Sequence, residues 1–124
     1  MKIAVSAGGN TLESEMDQRF GRAAFFLFVD SDTMEFEAID NQGASVGGAG
    51  VAGAQIVSEH EAGALITGNV GPNALEVLNA AGIGVYRGKL ASIRENIDQY
   101  KQGGLEKMDT PVASHFRMGV GSPK

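Results

Sequence analysis

Residues 64–86, ALITGNVGPNALEVLNAAGIGVY, read as strand, loop, helix and strand in succession, and they decide the fold class. Ala64–Thr67 is a short apolar run with no solvated alternation, the pattern of a strand covered on both faces. Pro72 stands where a helix's first turn begins. Ala74, Leu75, Leu78 and Ala81 then form one apolar stripe, and Gly82 stops it. Ile83–Tyr86 is a second short strand. Two strands separated by one helix must run parallel, so the sheet has parallel strands and layers of helix over it.

Working outward, the same unit recurs on either side. Ala49 to about Glu61 is a helix of small residues closed by Gly63. Ser92 with Glu95 forms a capping box for a last helix lined by Ile93, Ile97 and Tyr100 and ended by Gly103–Gly104. The first forty residues differ. Lys2–Ser6 reads as a buried strand ending in Gly8–Gly9, and the polar stretch to Arg22 is too irregular for a helix. Phe25–Val29 is a continuous apolar strand. Met34–Asp40 sets Met34, Phe36 and Ala38 against Glu35 and Glu37, the period of a half-solvated edge strand. The predicted order is βββαβαβα: an α/β fold of three layers with a mixed sheet, of ribonuclease H-like topology. Residues 1–105 form the one expected domain and 106–124 a C-terminal tail.

Composition narrows the functions. The chain has 124 residues with 43% hydrophobic and 20% charged, ordinary for a globular domain, but 18 glycines, about twice average usage. A net charge of −5 argues against nucleic acid as a partner. The opening MKIAVSAGG is too short an apolar stretch for an export signal or membrane span, so the expected compartment is the cytoplasm. With no cysteine, disulfides, thiol nucleophiles and thiolate-bound metal are excluded. Acidic alternation along the edge strand discourages edge pairing and suits a monomer or weak homo-oligomer.

Topology places the candidate site. If the first and third strands are parallel, the loops after Ser6, Asp40, Thr67 and Tyr86 share the carboxyl-terminal edge of the sheet. There open α/β sheets bind ligands and helix N-termini offer free N–H groups. Three unusual loops meet there. Arg19-Phe20-Gly21-Arg22 sets two arginines around Phe-Gly to clamp an anion; its plainer reading is a solvated turn with Phe20 in the core. Gly47-Gly48-Ala49-Gly50 lets backbone approach a ligand, or simply permits close helix packing. Gly68-Asn69-Val70-Gly71-Pro72 supplies Asn69 and an N-cap at Gly71, which an ordinary helix start also explains.

Gly48-Ala49-Gly50-Val51-Ala52-Gly53 spells a dinucleotide fingerprint. Seven loop residues precede it and no acidic residue ends the next strand, so NAD is rejected. His60, near the C-terminus of its helix, reads first as a partly buried cap favoured by the dipole, and His115 lies in the tail; lacking metal-ligand spacing, either stands only as a candidate for one metal bond. The first strand carries no acid, no nucleophile has a base at suggestive spacing, and no enzyme is expected.

The order of Asp17-x-Arg19-Phe20-Gly21-Arg22-Ala23, Gly47-Gly48-Ala49-Gly50 and Gly68-Asn69-Val70-Gly71-Pro72-Asn73-Ala74 resembles the dinitrogenase iron–molybdenum cofactor biosynthesis family, which includes NifX-like proteins and the C-terminal part of NifB. The match spans roughly residues 1 to 105. The resemblance implies a ribonuclease H-like fold without nuclease activity and binding of an iron–molybdenum, or molybdenum–copper, sulfide cluster or its precursor, with cluster donor and acceptor proteins as partners. Without thiolates such a cluster would be held non-covalently. Arg19 and Arg22 would neutralise it, amides at Gly48, Gly50 and Gly71 would donate to sulfide, and Phe20 would shield it. Two other classes fit the residues: a protein-interaction or regulatory module, and a small-anion or nucleotide-phosphate binder.

Overall fold

The computed structural model describes residues 1–41 and 49–108. Six strands, β1 (Lys2–Ala7), β2 (Phe25–Asp30), β3 (Phe36–Asp40), β4 (Ala64–Thr67), β5 (Gly84–Arg87) and β6 (Glu106–Lys107), form one mixed sheet. Their order across it is β3-β2-β1-β4-β5-β6. β1 pairs antiparallel with β2 and β2 with β3, whereas β1, β4 and β5 run parallel. This is the expected ribonuclease H-like arrangement. Its carboxyl-terminal edge gathers the ends of β1, β3, β4 and β5.

Three helices flank the sheet: α1 (Ala49–Glu59), α2 (Pro72–Ala80) and α3 (Ile93–Lys101). Phe26, Phe28, Leu65 and Val85 point to one face, where Ala54 and Val57 of α1 and Ala74, Leu75 and Leu78 of α2 cover them. Ile3, Val5, Leu27, Val29 and Ile66 point to the other, against Ile93 and Ile97 of α3. Successive residues thus enter different cores, which is why β1, β2 and β4 read as unbroken apolar runs. Burying one such side chain contributes about 1.5–3 kcal/mol. The capping box forms as read: the Glu95 N–H donates to Ser92 Oγ at 3.1 Å, and the Ser92 N–H donates to Glu95 Oε1 at 3.2 Å.

Several boundaries moved, each for a local reason. β3 begins at Phe36 because Met34 has φ +64°, a left-handed turn residue that no strand accommodates. α1 closes before Gly63, with the left-handed residue at Glu61, φ +60°. Gly63 instead donates its N–H to Lys2 O at 2.9 Å, tying the chain to β1. β5 is shifted by one residue. β6, absent from the sequence reading, pairs antiparallel with β5 through Tyr86–Lys107 and Arg87–Glu106, and Met108 enters the core behind it.

The irregular residues 8–19 form a strap across the carboxyl-terminal edge. Gly8 N–H donates to Glu15 O, Met16 N–H to Ala91 O, Asp17 N–H to Ser6 O and Asn69 N–H to Gln18 O, at 2.7–3.0 Å. Leu12 and Met16 are buried beneath it. These bonds satisfy backbone that neither helix nor strand would serve, which explains the missing periodicity.

Candidate functional site

The strap is fastened from below by two buried hydroxyls. Ser6 Oγ donates to Asp17 O at 2.6 Å and lies 2.6 Å from Thr67 Oγ1. Because Ser6 has a single hydroxyl proton, the Thr67 hydroxyl is the donor of that second bond. Gly68 completes the join: a Cβ there would fall 2.7 Å from Gln18 Cα. Only a glycine lets β4's exit lie against the strap. The ends of β1 and β4 thereby hold Asp17, Gln18 and Arg19 in one place beside Asn69.

Arg19 is ordered by its neighbour. Its Nε donates to Asp17 Oδ1 at 3.1 Å and its Nη2 to Asp17 Oδ2 at 3.0 Å, while its backbone N–H donates to Asp17 Oδ1 at 2.9 Å. The side-chain hydrogen bond from Arg19 holds the Asp17 carboxyl below its usual range, against the opposing effect of burial, and the same bond raises Arg19. Arg19 shares its charge with a carboxylate, and its remaining guanidinium N–H groups are not used by Asp17.

After Arg19 the chain makes a short 3₁₀ turn, Phe20–Arg22. The Phe20 ring is 2% exposed and packs 5.3 Å from the Phe26 ring, so it anchors the turn in the core. Gly21 meets the start of α1 backbone to backbone: a Cβ there would lie 2.6 Å from Ala49 C and Gly50 N. Arg22 follows, exposed at the turn's end.

Two clefts result, sharing Arg19 and Asn69. One, of about 440 Å³, is lined by Arg19, Phe20, Gly21, Arg22, Ala49, Gly50 and Asn69. The other, of about 480 Å³, is lined by Gly8, Glu15, Met16, Asp17, Gln18, Arg19, Asn69 and Leu90. Leu90, 74% exposed, stands at the rim of the second. The first cleft collects Arg19, Gly21, Arg22, Gly50 and Asn69, all singled out from sequence. α1 and α2 each start without an acidic residue in their first turn, and α2 has Gly71 at its N-cap with no side-chain cap. α3 carries its own acid, Glu95. An anion near either helix start meets partial positive charge that no acidic residue of that helix's own first turn offsets.

Other candidates fall elsewhere. Gly71 is not among the residues lining either cleft. His60 follows the C-terminal end of α1, at the opposite edge of the sheet, where its carbonyl accepts from Lys2 Nζ at 2.9 Å. Its Nδ1 bonds Ile56 O at 2.8 Å and its ring stacks on Phe28 with centroids 4.5 Å apart. Geometry separates it from the arginines and gives it a helix-end role. Gly47, Gly48 and His115 lie outside the described residues. Among the described residues no three His, Cys, Asp or Glu side chains gather to hold a metal ion, and no helix is long and apolar enough to cross a membrane.

The sequence reading passed over Asn41. It is buried, 4% exposed, and its Nδ2 donates to Gly21 O at 3.0 Å and Ala23 O at 2.9 Å. Its Oδ1 meets no hydrogen-bond donor among the described residues. Nothing in a lone asparagine after a strand announces bonds that reach back about twenty residues.

The chain matches the family model described as dinitrogenase iron-molybdenum cofactor over residues 1–103. It is similar to the apo form of the orange protein from Desulfovibrio gigas, with 39% identity over 89% of this chain and 94% of that one, at a TM-score of 0.84. A Thermotoga protein provisionally named as NifB shares 35% identity over 88% of this chain and 94% of that one, TM-score 0.78. A Methanocaldococcus jannaschii protein provisionally named as a dinitrogenase, 20% identical, shares the fold over 90% of this chain and 97% of its own at 0.71. None of the curated proteins matches the chain.

Proposed function

The chain belongs to the dinitrogenase iron–molybdenum cofactor family, and on that premise we propose that it carries an anionic metal–sulfide cluster or its precursor as cargo, without catalysing a reaction. The observation that carries this reading is the 440 Å³ cleft, where Arg19, Arg22, Gly50 and Asn69 meet at the start of α1. Its volume is in the range of small-molecule sites. Its chemistry suits a diffuse, sulfide-coated anion: guanidinium and amide N–H donors, no thiolate, and no cluster of hard metal ligands among the described residues. Donors of this kind hold cargo through hydrogen bonds and charge, so release breaks no metal–ligand bond. That is the property a carrier needs. The iron–molybdenum sulfide and molybdenum–copper sulfide clusters expected from sequence are both anions of this kind. A relative named for its colour and known in an apo form supports a chromophore that can be lost. The donor and acceptor of the cargo would approach at the same sheet edge, from the cytoplasm.

The test is anaerobic incubation with iron, molybdenum and copper sulfide sources, then desalting and metal analysis of the native chain and of Arg19→Ala, Arg22→Ala and the double variant. Each charged hydrogen bond is worth about 1.5–3 kcal/mol, so each single variant is expected to weaken retention by about tenfold or more, and the double variant to abolish it. No metal retained from any source refutes cargo binding and favours a protein-interaction module. Retention unchanged in the double variant refutes this cleft.

A further inference from the structure

Asn41 lies just past the end of β3, yet its polar groups are spent on a different segment. Its side-chain amide donates to Gly21 O and Ala23 O, and its backbone N–H donates to Ala24 O at 3.0 Å. Within that segment the Arg22 N–H donates to Arg19 O at 3.1 Å. The peptide group joining Gly21 to Arg22 is therefore held at both ends, its carbonyl by Asn41 and its N–H by Arg19. The carbonyls on either side of Arg22 are fixed by one amide. The amide's orientation is settled by its partners, because turning it over would set Oδ1 against two carbonyl oxygens.

The turn so held is the one whose Gly21 backbone touches Ala49 and Gly50 at the start of α1. We infer that Asn41 is a positioning residue for cargo: it locks the Phe20–Arg22 turn against the start of α1, so that the Arg22 guanidinium and the N–H groups of α1's first turn face one ligand. The inference rests on the cargo reading of the 440 Å³ cleft. Asn41 touches no cargo itself, and it acts through Arg22 and the Gly21 backbone. Without it, the turn keeps its anchor at Phe20 but loses the bonds that set the direction of Arg22. The arginine is then free to sample positions from which it cannot share an anion with the helix.

The experiment uses the full chain and the tetrathiomolybdate dianion as probe, with binding followed by its visible absorption under anaerobic conditions. Asn41→Leu, similar in volume and without donors, is expected to bind at least tenfold more weakly. Backbone amide exchange at Arg22 is expected to accelerate while that at Val5 and Leu65 in the central strands stays slow. Asn41→Ser, which keeps one donor in a smaller side chain, is expected to fall between Asn41→Leu and the native chain, and it carries the test if Asn41→Leu does not fold. Ile97→Val, on the far face of the sheet, is expected to lower the melting temperature without changing affinity, so a loss that merely follows stability is told apart. If Arg22→Ala weakens binding while Asn41→Leu, or Asn41→Ser in its place, binds like the native chain, the inference is overturned and the cleft stands. If Arg22→Ala binds like the native chain, Arg22 has no part in binding and the inference is overturned, whereas the cleft itself fails only if the Arg19/Arg22 double variant also binds like the native chain.

Discussion

Gly21→Ala isolates the contact on which the cleft is built. The added Cβ would lie 2.6 Å from Ala49 C and Gly50 N and 2.7 Å from Gly50 Cα, whereas ordinary contact begins near 3.4 Å. The obstacle is backbone, so no rotamer change relieves it. The first turn of α1 and the Phe20–Arg22 turn must separate by about 0.8 Å, at the overpacking cost of about 1–3 kcal/mol. At about 4 °C per kcal/mol for a chain of this size, the melting temperature should fall by about 4–12 °C. Gly53→Ala is the matched comparison within the same helix. Its Cβ would meet Phe26 Cζ at 3.1 Å and Phe20 Cε2 at 3.2 Å, ring edges that can yield by a few tenths of an ångström. Replacing glycine by alanine in a helix interior also contributes about 1 kcal/mol, so this variant should stay within about 1 kcal/mol of the native chain. Thermal melts followed by circular dichroism, with tetrathiomolybdate titrations beside them, read both effects. The reasoning is wrong if Gly21→Ala melts within about 1 °C of the native chain, or if Gly53→Ala falls as far as Gly21→Ala does.

Two further outcomes follow from single residues. Glu61→Gly should raise stability by about 0.5–1 kcal/mol, since the left-handed conformation that burdens a glutamate costs glycine almost nothing, and a lower melting temperature would contradict this. Asp17→Asn should weaken the native chain's acid-side behaviour in a defined direction. Its carboxyl titrates below the ordinary 3.8 when folded, so its stabilisation is present above that value and disappears as pH falls through the lower folded value. Urea midpoints of the two proteins should differ by a constant amount above about pH 5 and converge as pH falls through the lowered folded value. A gap that persists at the acid end would show that Asp17 acts by some means other than its charge.

The parts of the fold visible in the sequence are those governed by burial. β1, β2 and β4 feed alternate residues into two cores, so their apolar runs needed no neighbours to be read. The α3 start was equally plain because Ser92 and Glu95 satisfy each other within one turn. Boundaries failed where a non-glycine residue took the left-handed conformation, at Met34 and Glu61, since neither residue type signals it. β6 escaped because two residues carry no period. At the site, Arg19, Gly21, Arg22, Gly50 and Asn69 could be brought together by strand direction alone. The pairing of Arg19 could not. It depends on an Asp17 carboxylate two residues away in an irregular strap, where spacing predicts no pairing. The helix-end reading of His60 needed only its position near the C-terminus of α1, whereas its distance from the arginines needed the direction in which α1 crosses the sheet. Asn41 was invisible because its bonds are set by the β2–β3 register, which brings Asp40 opposite Phe25.

The contrast among the helix starts bears on what a stability measurement means for this chain. α3 brings its own anion in Glu95, whereas α1 and α2 begin with none. A dianion seated in the cleft would therefore supply the start of α1 with the negative charge that its own first turn lacks. Cargo and fold are then linked by mass action. At a hundredfold excess over its dissociation constant a ligand adds about 2.7 kcal/mol, so the loaded and empty chains would differ in resistance to heat and to proteases. A cell that degrades its less stable proteins would remove the empty carrier first, and the number of carriers would follow the supply of cargo without any separate sensor.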